Sequence, residues 1–205
     1  RSTLFPYTTL FRSEKLENST WQFSQQGLNN AFFGLKRMDA DSDDVRHLLQ
    51  VLMRHLEQAS DPLSAQTIAD ILHGMQCMRS KAPEVQAILA FVVKSMSHSD
   101  AKWEPQQIGH AMIGLRSMHA GQSSEVSKLI TLLGSRLSAT HSALSGQDVS
   151  NILQGIEAMD PDANEVEVIS AILVARLLVT PRPALSAESF AACLMAMRHM
   201  NSVAP

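Results

Sequence analysis

Metal binding is the first chemistry that the sequence suggests, because His73 and Cys77 stand four residues apart. On a helix, residues at this spacing share a face, so an imidazole and a thiolate could bind one metal ion together. A structural zinc site needs four such ligands, and the sequence offers no second pair with a matching spacing. We therefore predict no metal site and no cofactor.

Calcium binding is suggested by a run of acidic residues, Asp39, Asp41, Asp43 and Asp44. A calcium-binding loop of the EF-hand type also needs a glycine in its middle and a bidentate glutamate at its end, and both are missing here. We interpret the run as a turn followed by the first turn of a helix, where carboxylates interact favourably with the helix dipole.

Catalysis has no candidate group of residues in this chain. The eight histidines are scattered, and the recurrent glycines lie 40 or more residues apart, which excludes a glycine-rich phosphate loop. We predict that the chain is not an enzyme and has no small-molecule substrate.

Hydrogen bonding by polar side chains on one helix face is the chemistry that remains. In four stretches this face opens with a glutamine, which indicates a structural task near the helix start, and continues with residues that vary in size and polarity. We call the candidate ligand-binding residues on this face the ladder: Asn30, Arg37, Asp70, His73, His110, Asn151 and Gln154. The alternative, that these are solvated positions that vary without constraint, stays open here.

The ladder residues recur because the chain is repetitive. The stretch FSQQGLNNAFFGLKRM, which begins at Phe23, aligns without gaps with stretches that begin at Leu63, Trp103, Leu144 and Leu185. The five starts are spaced 40, 40, 41 and 41 residues apart. A period of this length is typical of helical repeats.

Each repeat unit is predicted to be a hairpin of two helices. Apolar residues at positions i, i+3, i+4 and i+7 mark a first helix that begins after a capping serine and ends at a methionine, as from Ser64 to Met78. A turn and a second amphipathic helix follow. Because one hairpin cannot bury its apolar stripe, we predict an all-α fold, a right-handed α-solenoid of about 4.5 stacked repeats.

A glycine recurs near the end of the first helical stretch, at Gly34, Gly74, Gly114 and Gly155. Glycine inside a helix costs about 0.5 to 1 kcal/mol relative to alanine, so its recurrence needs a reason. We predict that the missing side chain lets the helix of the next unit approach closely. A hinge is the alternative.

The chain divides into three parts. Thr3–Ser13 matches, codon by codon, one reading frame of a widely used sequencing adapter, so we expect residues 1–13 to be an artefactual, non-native segment. Residues 14–22 are a lead-in, and residues 23–205 form a single repeat array whose fifth unit is truncated after its first helix. This organisation indicates a fragment of a longer protein, and the uncapped ends of the array predict non-specific self-association.

The composition is that of a globular chain, with 45% hydrophobic and 18% charged residues. No apolar run is long enough for a membrane span, so we predict no membrane partner. Cys77 and Cys193 lie in apolar helical patterns, which favours reduced thiols and an intracellular environment. The net charge of −3 provides no overall basic field for nucleic acid.

The repeat pattern S-x-Q-x-[IVL]-x-x-x-[LMF]-x-G-[LMI]-x-x-M, followed by a turn and a Val-led second helix, resembles the octotricopeptide repeats associated with RAP domains. The resemblance extends from Phe23 to Met200. Members of that family bind single-stranded RNA in organelle gene expression, which implies a mitochondrion or a chloroplast as the place of action. It also implies that the ladder residues of the first helices face the bases.

Two ligands are therefore expected for the ladder, single-stranded RNA first and an extended peptide or partner helix second. The charges that converge on the ladder discriminate between them. RNA is favoured if cations converge there: Lys36, Arg37, Arg116 and Lys128. A protein ligand is favoured if acidic groups dominate there: Asp70, Glu157 and Glu165.

Overall fold

A computed structural model describes most of the repeat array. The described residues are 23–38, 40–59, 61–79, 81–118, 123–157, 159–160 and 163–179, with the single positions 186, 187 and 191. The predictions for residues 1–22 and for nearly all of the fifth repeat unit lie outside the described residues.

Over the described residues the protein is all helical, which confirms the all-α class. Short and long helices alternate along the chain. They are α1 (Gln25–Gly34), α2 (Asp43–Glu57), α3 (Ala65–Gly74), α4 (Pro83–Ser97), α5 (Pro105–Gly114), α6 (Ser124–Ala139), α7 (Gly146–Ile156) and α8 (Asn164–Val179). None of these described helices combines the length and the apolar content that crossing a bilayer demands.

The helices pack in two series. The short helices α1, α3, α5 and α7 contact one another in chain order, and the long helices α2, α4, α6 and α8 do the same. One continuous apolar cluster, from Leu28 to Leu173, lies between and within these series. We number the pairs α1–α2, α3–α4, α5–α6 and α7–α8 as hairpins 1 to 4.

The starts of the short helices are fixed by local capping, as the sequence predicts. The hydroxyls of Ser24, Ser64 and Ser145 each accept a hydrogen bond from the backbone N–H three residues later. At α5, Glu104 takes the capping position and Pro105 the first helical position, where a missing N–H costs nothing. The Gln107 side chain closes this turn by accepting from the Glu104 N–H at 3.0 Å.

The ends of the short helices differ from the prediction, which extended each helix to its methionine. Helices α1, α3 and α5 end at the recurrent glycine, four residues earlier. Beyond it the backbone continues in tighter turns, in which the N–H of Leu35 donates to Phe32 and that of Met38 donates to Leu35. These bonds span three residues, as in a 3₁₀-helix. Equivalent turns follow α3 and α5, where Met78 and Met118 are fully buried in the core.

The recurrent glycines mark the closest approach between hairpins. A Cβ atom built on three of these four glycines would lie within 2.4 Å of a backbone atom of a neighbouring short helix. The pairs are Gly74 with Phe32, Gly114 with Leu72, and Gly155 with Met112. The predicted close approach is confirmed, but its direction was wrong, because the glycine contacts the helix of the preceding hairpin and not of the next one.

Gly34 is the exception among these glycines, because a Cβ atom there meets nothing within 4 Å.

Gly34→Ala and Gly114→Ala therefore form a matched pair. We expect Gly114→Ala to lower the free energy of unfolding by about 1–3 kcal/mol or more, because a methyl group would overlap the backbone of α3. Gly34→Ala should instead raise it by up to about 1 kcal/mol through helix propensity. Urea unfolding measures both, and equal effects would contradict this account of the glycines.

Helix α8 exposes large apolar side chains, of which Val174 and Leu178 share a face. Val168 is 46% exposed, Val174 56% and Leu178 81%. Large apolar side chains at such exposure favour contact with other molecules when they are adjacent. We therefore retain the prediction that the protein self-associates.

Substitution of this face tests the prediction. We expect Val174→Lys with Leu178→Lys to lower the mass measured by light scattering at high protein concentration, because charge opposes apolar contact. The control is Thr131→Lys with Ser135→Lys, which adds the same charges to exposed positions of α6. A wild-type protein that stays monomeric would contradict the prediction.

Candidate functional site

Six of the seven ladder residues lie on the short helices in two rows, and the seventh, Arg37, follows α1. The first row holds Asn30, Asp70, His110 and Asn151. The second row, one turn later, holds His73 and Gln154, with Phe33 and Ile113 at the equivalent positions of α1 and α5. Between hairpins 2 and 3, the second-row residue of one hairpin contacts the first-row residue of the next. His73 on α3 and His110 on α5 have ring centroids 4.9 Å apart and an interplanar angle of 34°. The stacking of hairpins thus brings two imidazoles from distant parts of the sequence into contact.

Two cations act on the His73 member of this pair. The pKa of His73 is lowered to about 4, first by burial and then by the charges of Lys36, His110 and Arg116. Lys36 follows α1 and Arg116 follows α5, so the cations belong to the hairpins on either side of α3. None of the charged groups that shift this pKa is acidic. We call Lys36, His73, His110 and Arg116 the basic patch.

An exposed aromatic ring adjoins the basic patch. Phe33 on α1 is 66% exposed, and the Nζ atom of Lys36 lies 5.7 Å from its ring centroid, within the range of a cation–π contact. Sequence reasoning did not select Phe33 as a site residue. The signal was its position between Asn30 and Arg37 on one helix face.

Hydrogen bonds between hairpins hold the turns that carry the cations. The side-chain amide of Gln76 donates to the carbonyl of Lys36 at 3.2 Å, and the hydroxyl of Ser117 donates to the carbonyl of Gln76 at 2.7 Å. The turns after α1, α3 and α5 are therefore linked one to the next. This linkage fixes the backbones from which Lys36 and Arg116 extend.

The recurrent glutamines have the structural task that the sequence indicates. In three hairpins the side-chain amide donates to the first-row ladder residue one turn later. The bonds are Gln26 to Asn30 (3.2 Å), Gln66 to Asp70 (2.9 Å) and Gln147 to Asn151 (2.8 Å). Each glutamine thus restricts the orientation of the ladder residue that follows it.

The ladder is open at one end and closed at the other. Asn30 and Arg37 are exposed, and Asp70 is half-buried. Asn151 is only 5% exposed, because its Cβ atom lies against Gly109 of α5. Gln154 is half-buried and donates to the hydroxyl of Ser150 at 2.9 Å. Access for a ligand is therefore greatest on hairpins 1 to 3.

The cations that the sequence proposed do not all converge. Lys36 and Arg116 act on His73, and Arg37 is exposed in the same turn as Lys36. Lys128 lies on α6 instead, where its ammonium group is 3.6 Å from Glu125. Two of the four proposed cations thus act on the ladder at His73.

The two metal hypotheses find no further support among the described residues. Within them, no three His, Cys, Asp or Glu side chains come close enough to hold an ion. Cys77 is a half-buried free thiol. Asp43 and Asp44 lie in the first turn of α2, as interpreted, whereas Asp39 is outside the described residues.

No protein-family model, no curated protein and no solved structure matches the chain. The ligand of the ladder is therefore inferred from the side chains that the ladder and its neighbours present. These side chains combine two cations, two imidazoles and an exposed phenyl ring on adjoining hairpins.

The electrostatics of the basic patch can be tested in the free protein. We expect the double substitution Lys36→Gln and Arg116→Gln to raise the pKa of His73 from about 4 toward the ordinary value of 6.5, because two cations that oppose its protonation are removed. The pKa is measured by following the imidazole resonances by NMR as the pH changes. Lys128→Gln is the control and should leave the pKa unchanged; an equal shift there would contradict the proposed arrangement.

Proposed function

We propose that the chain is a non-enzymatic binding module whose ladder holds single-stranded RNA. The hairpins would form a right-handed α-solenoid of about 4.5 repeats. The ordered contacts of like helices along the chain support this architecture. The observation that carries the RNA proposal is the convergence of Lys36 and Arg116 on His73, with no acidic group among the charges that act there.

A positive local field is what a phosphate backbone requires. The whole chain has a net charge of −3, so the basic patch is a local feature and not part of a generally basic surface. Ligands with closely spaced negative charges gain most from such a patch. Lys36 and Arg116 would contact phosphates of the strand, and each contact would release counterions.

The aromatic and polar side chains suit the bases of a single strand. Phe33 offers an exposed ring face, and stacking of a base on such a ring contributes about 1–3 kcal/mol. Asn30 and Asp70 carry hydrogen-bonding groups beside it, which can recognise base edges when the bases are unstacked. The resemblance to octotricopeptide repeats supports the same ligand and implies a role in organelle gene expression.

An extended peptide or partner helix is the second candidate ligand. It is favoured by the carboxylate of Asp70 on the ladder, which would attract a basic side chain, and by the exposed Phe33, which would anchor an apolar one. The two ligands differ in how their affinity depends on Lys36 and Arg116. A phosphate backbone needs these cations, whereas a basic peptide is repelled by them.

A salt titration of binding to random single-stranded RNA tests the proposal. We expect binding at low salt, with an affinity that falls steeply as salt is added. Lys36→Gln and Arg116→Gln should each weaken binding and lower the slope of log K against log salt by about 0.7, the value for one lost phosphate contact. Lys128→Gln removes an equal charge outside the ladder and is the matched control.

Three results would contradict the proposal. Absence of RNA binding at low salt would exclude RNA as the ligand. An effect of Lys128→Gln equal to that of Lys36→Gln would show that only net charge matters. Tighter binding of a basic peptide by the Lys36→Gln variant, without RNA binding, would establish the second candidate instead.

A further inference from the structure

The contact between His73 and His110 joins two side chains that can each take up a proton, whereas attraction of RNA by the basic patch needs only the fixed charges of Lys36 and Arg116. The ring centroids of the two imidazoles are 4.9 Å apart, so a positive charge on one ring opposes protonation of the other. Lys36 and Arg116 add to the repulsion from either side of α3. In the free protein His73 is therefore neutral near pH 7.

We propose that the His73–His110 pair is a proton-coupled site for one phosphate group of the bound strand. A phosphate seated at the pair, between Lys36 and Arg116, makes an imidazole take up a proton, so RNA binds more tightly as the pH falls. This inference rests on the proposed function, because the phosphate belongs to single-stranded RNA.

The groups that face His73 explain why the proton arrives with the ligand. Helix α3 packs against α1 and α5. Lys36 acts on His73 from the turn after α1, and His110 and Arg116 act from α5 and the turn after it. On α3 itself, the carboxylate of Asp70 accepts a hydrogen bond from Gln66 and is not among the groups that shift the pKa of His73. Among the described residues, no carboxylate acts on His73, so a bound phosphate would supply the negative charge that stabilises an imidazolium at this site.

The sign of the pH dependence follows from linkage. The pKa of His73 in the free protein is about 4, below the ordinary 6.5. A bound phosphate opposes the lowering by Lys36 and Arg116 and raises this pKa. Between the bound and the free pKa values, the complex holds a proton that the free protein lacks. Affinity then rises as the pH falls through that window, by up to about tenfold per pH unit for one proton.

Oligouridine is the suitable probe, because its bases do not titrate in the acidic range. Its dissociation constant is measured at constant ionic strength from about pH 8 to about pH 5, the range in which histidine is the side chain that normally titrates. We expect the wild-type affinity to rise as the pH falls. His73→Gln and His110→Gln should each lose most of the rise, measured as the ratio of the affinities at pH 5 and pH 8 for the same variant. His141→Gln alters an exposed histidine before α7 and should keep the rise.

A second measurement keeps the test independent of how the variants fold. In wild-type protein, NMR titration of His73 with and without saturating oligouridine should show a pKa that is higher in the complex than the value of about 4 in the free protein. Circular dichroism at pH 8 establishes that each variant retains its helices.

The outcomes separate this inference from the proposed function. Oligouridine binding that does not change with pH, or an unchanged pKa of His73 in the complex, would overturn the proton-coupled site and leave RNA binding intact. A rise that persists in both His73→Gln and His110→Gln would do the same. No binding at any pH would overturn both proposals. Binding of polyglutamate in place of oligouridine would identify an acidic peptide as the ligand and would also overturn both.

Discussion

The contact of Gly74, Gly114 and Gly155 with the backbone of the preceding short helix sets the spacing of the described hairpins. At Gly74 a side chain would overlap the carbonyl of Phe32, and Gly114 stands in the same relation to Leu72. Because backbones touch there, the short helices lie closer together than helices separated by side chains. The distance between these hairpins is therefore set by contacts between main-chain atoms and not by the size of the side chains between the helices.

This close spacing is what produces the candidate site. With α3 and α5 in backbone contact, the second ladder row of one hairpin reaches the first row of the next, and His73 meets His110. The same spacing lets Gln76 reach the carbonyl of Lys36 and lets Ser117 reach that of Gln76. The site thus consists of groups from three hairpins whose relative positions depend on the glycine contacts.

The sequence predicts the features that depend on neighbouring residues. Helical periodicity, the serine caps and the acidic first turn of α2 are local, and the structure contains all three. The end of each short helix was predicted wrongly, because the apolar pattern continues to the methionine whereas the backbone tightens at or just after the recurrent glycine. The pairing of His73 with His110 and the burial of Asn151 arise between hairpins, so no local pattern indicates them.

The uneven burial of the ladder restricts how a strand could lie on it. At hairpin 1, Asn30 and Phe33 are open to solvent, whereas at hairpin 4 Asn151 is packed against Gly109. A ligand that contacted all the hairpins equally would need a uniformly open face. Because the cations and the exposed ring also lie on hairpins 1 to 3, charge, stacking and access coincide there. Binding energy would consequently be concentrated at that end, and Asn151 would contribute to the packing of α7 on α5 more than to recognition.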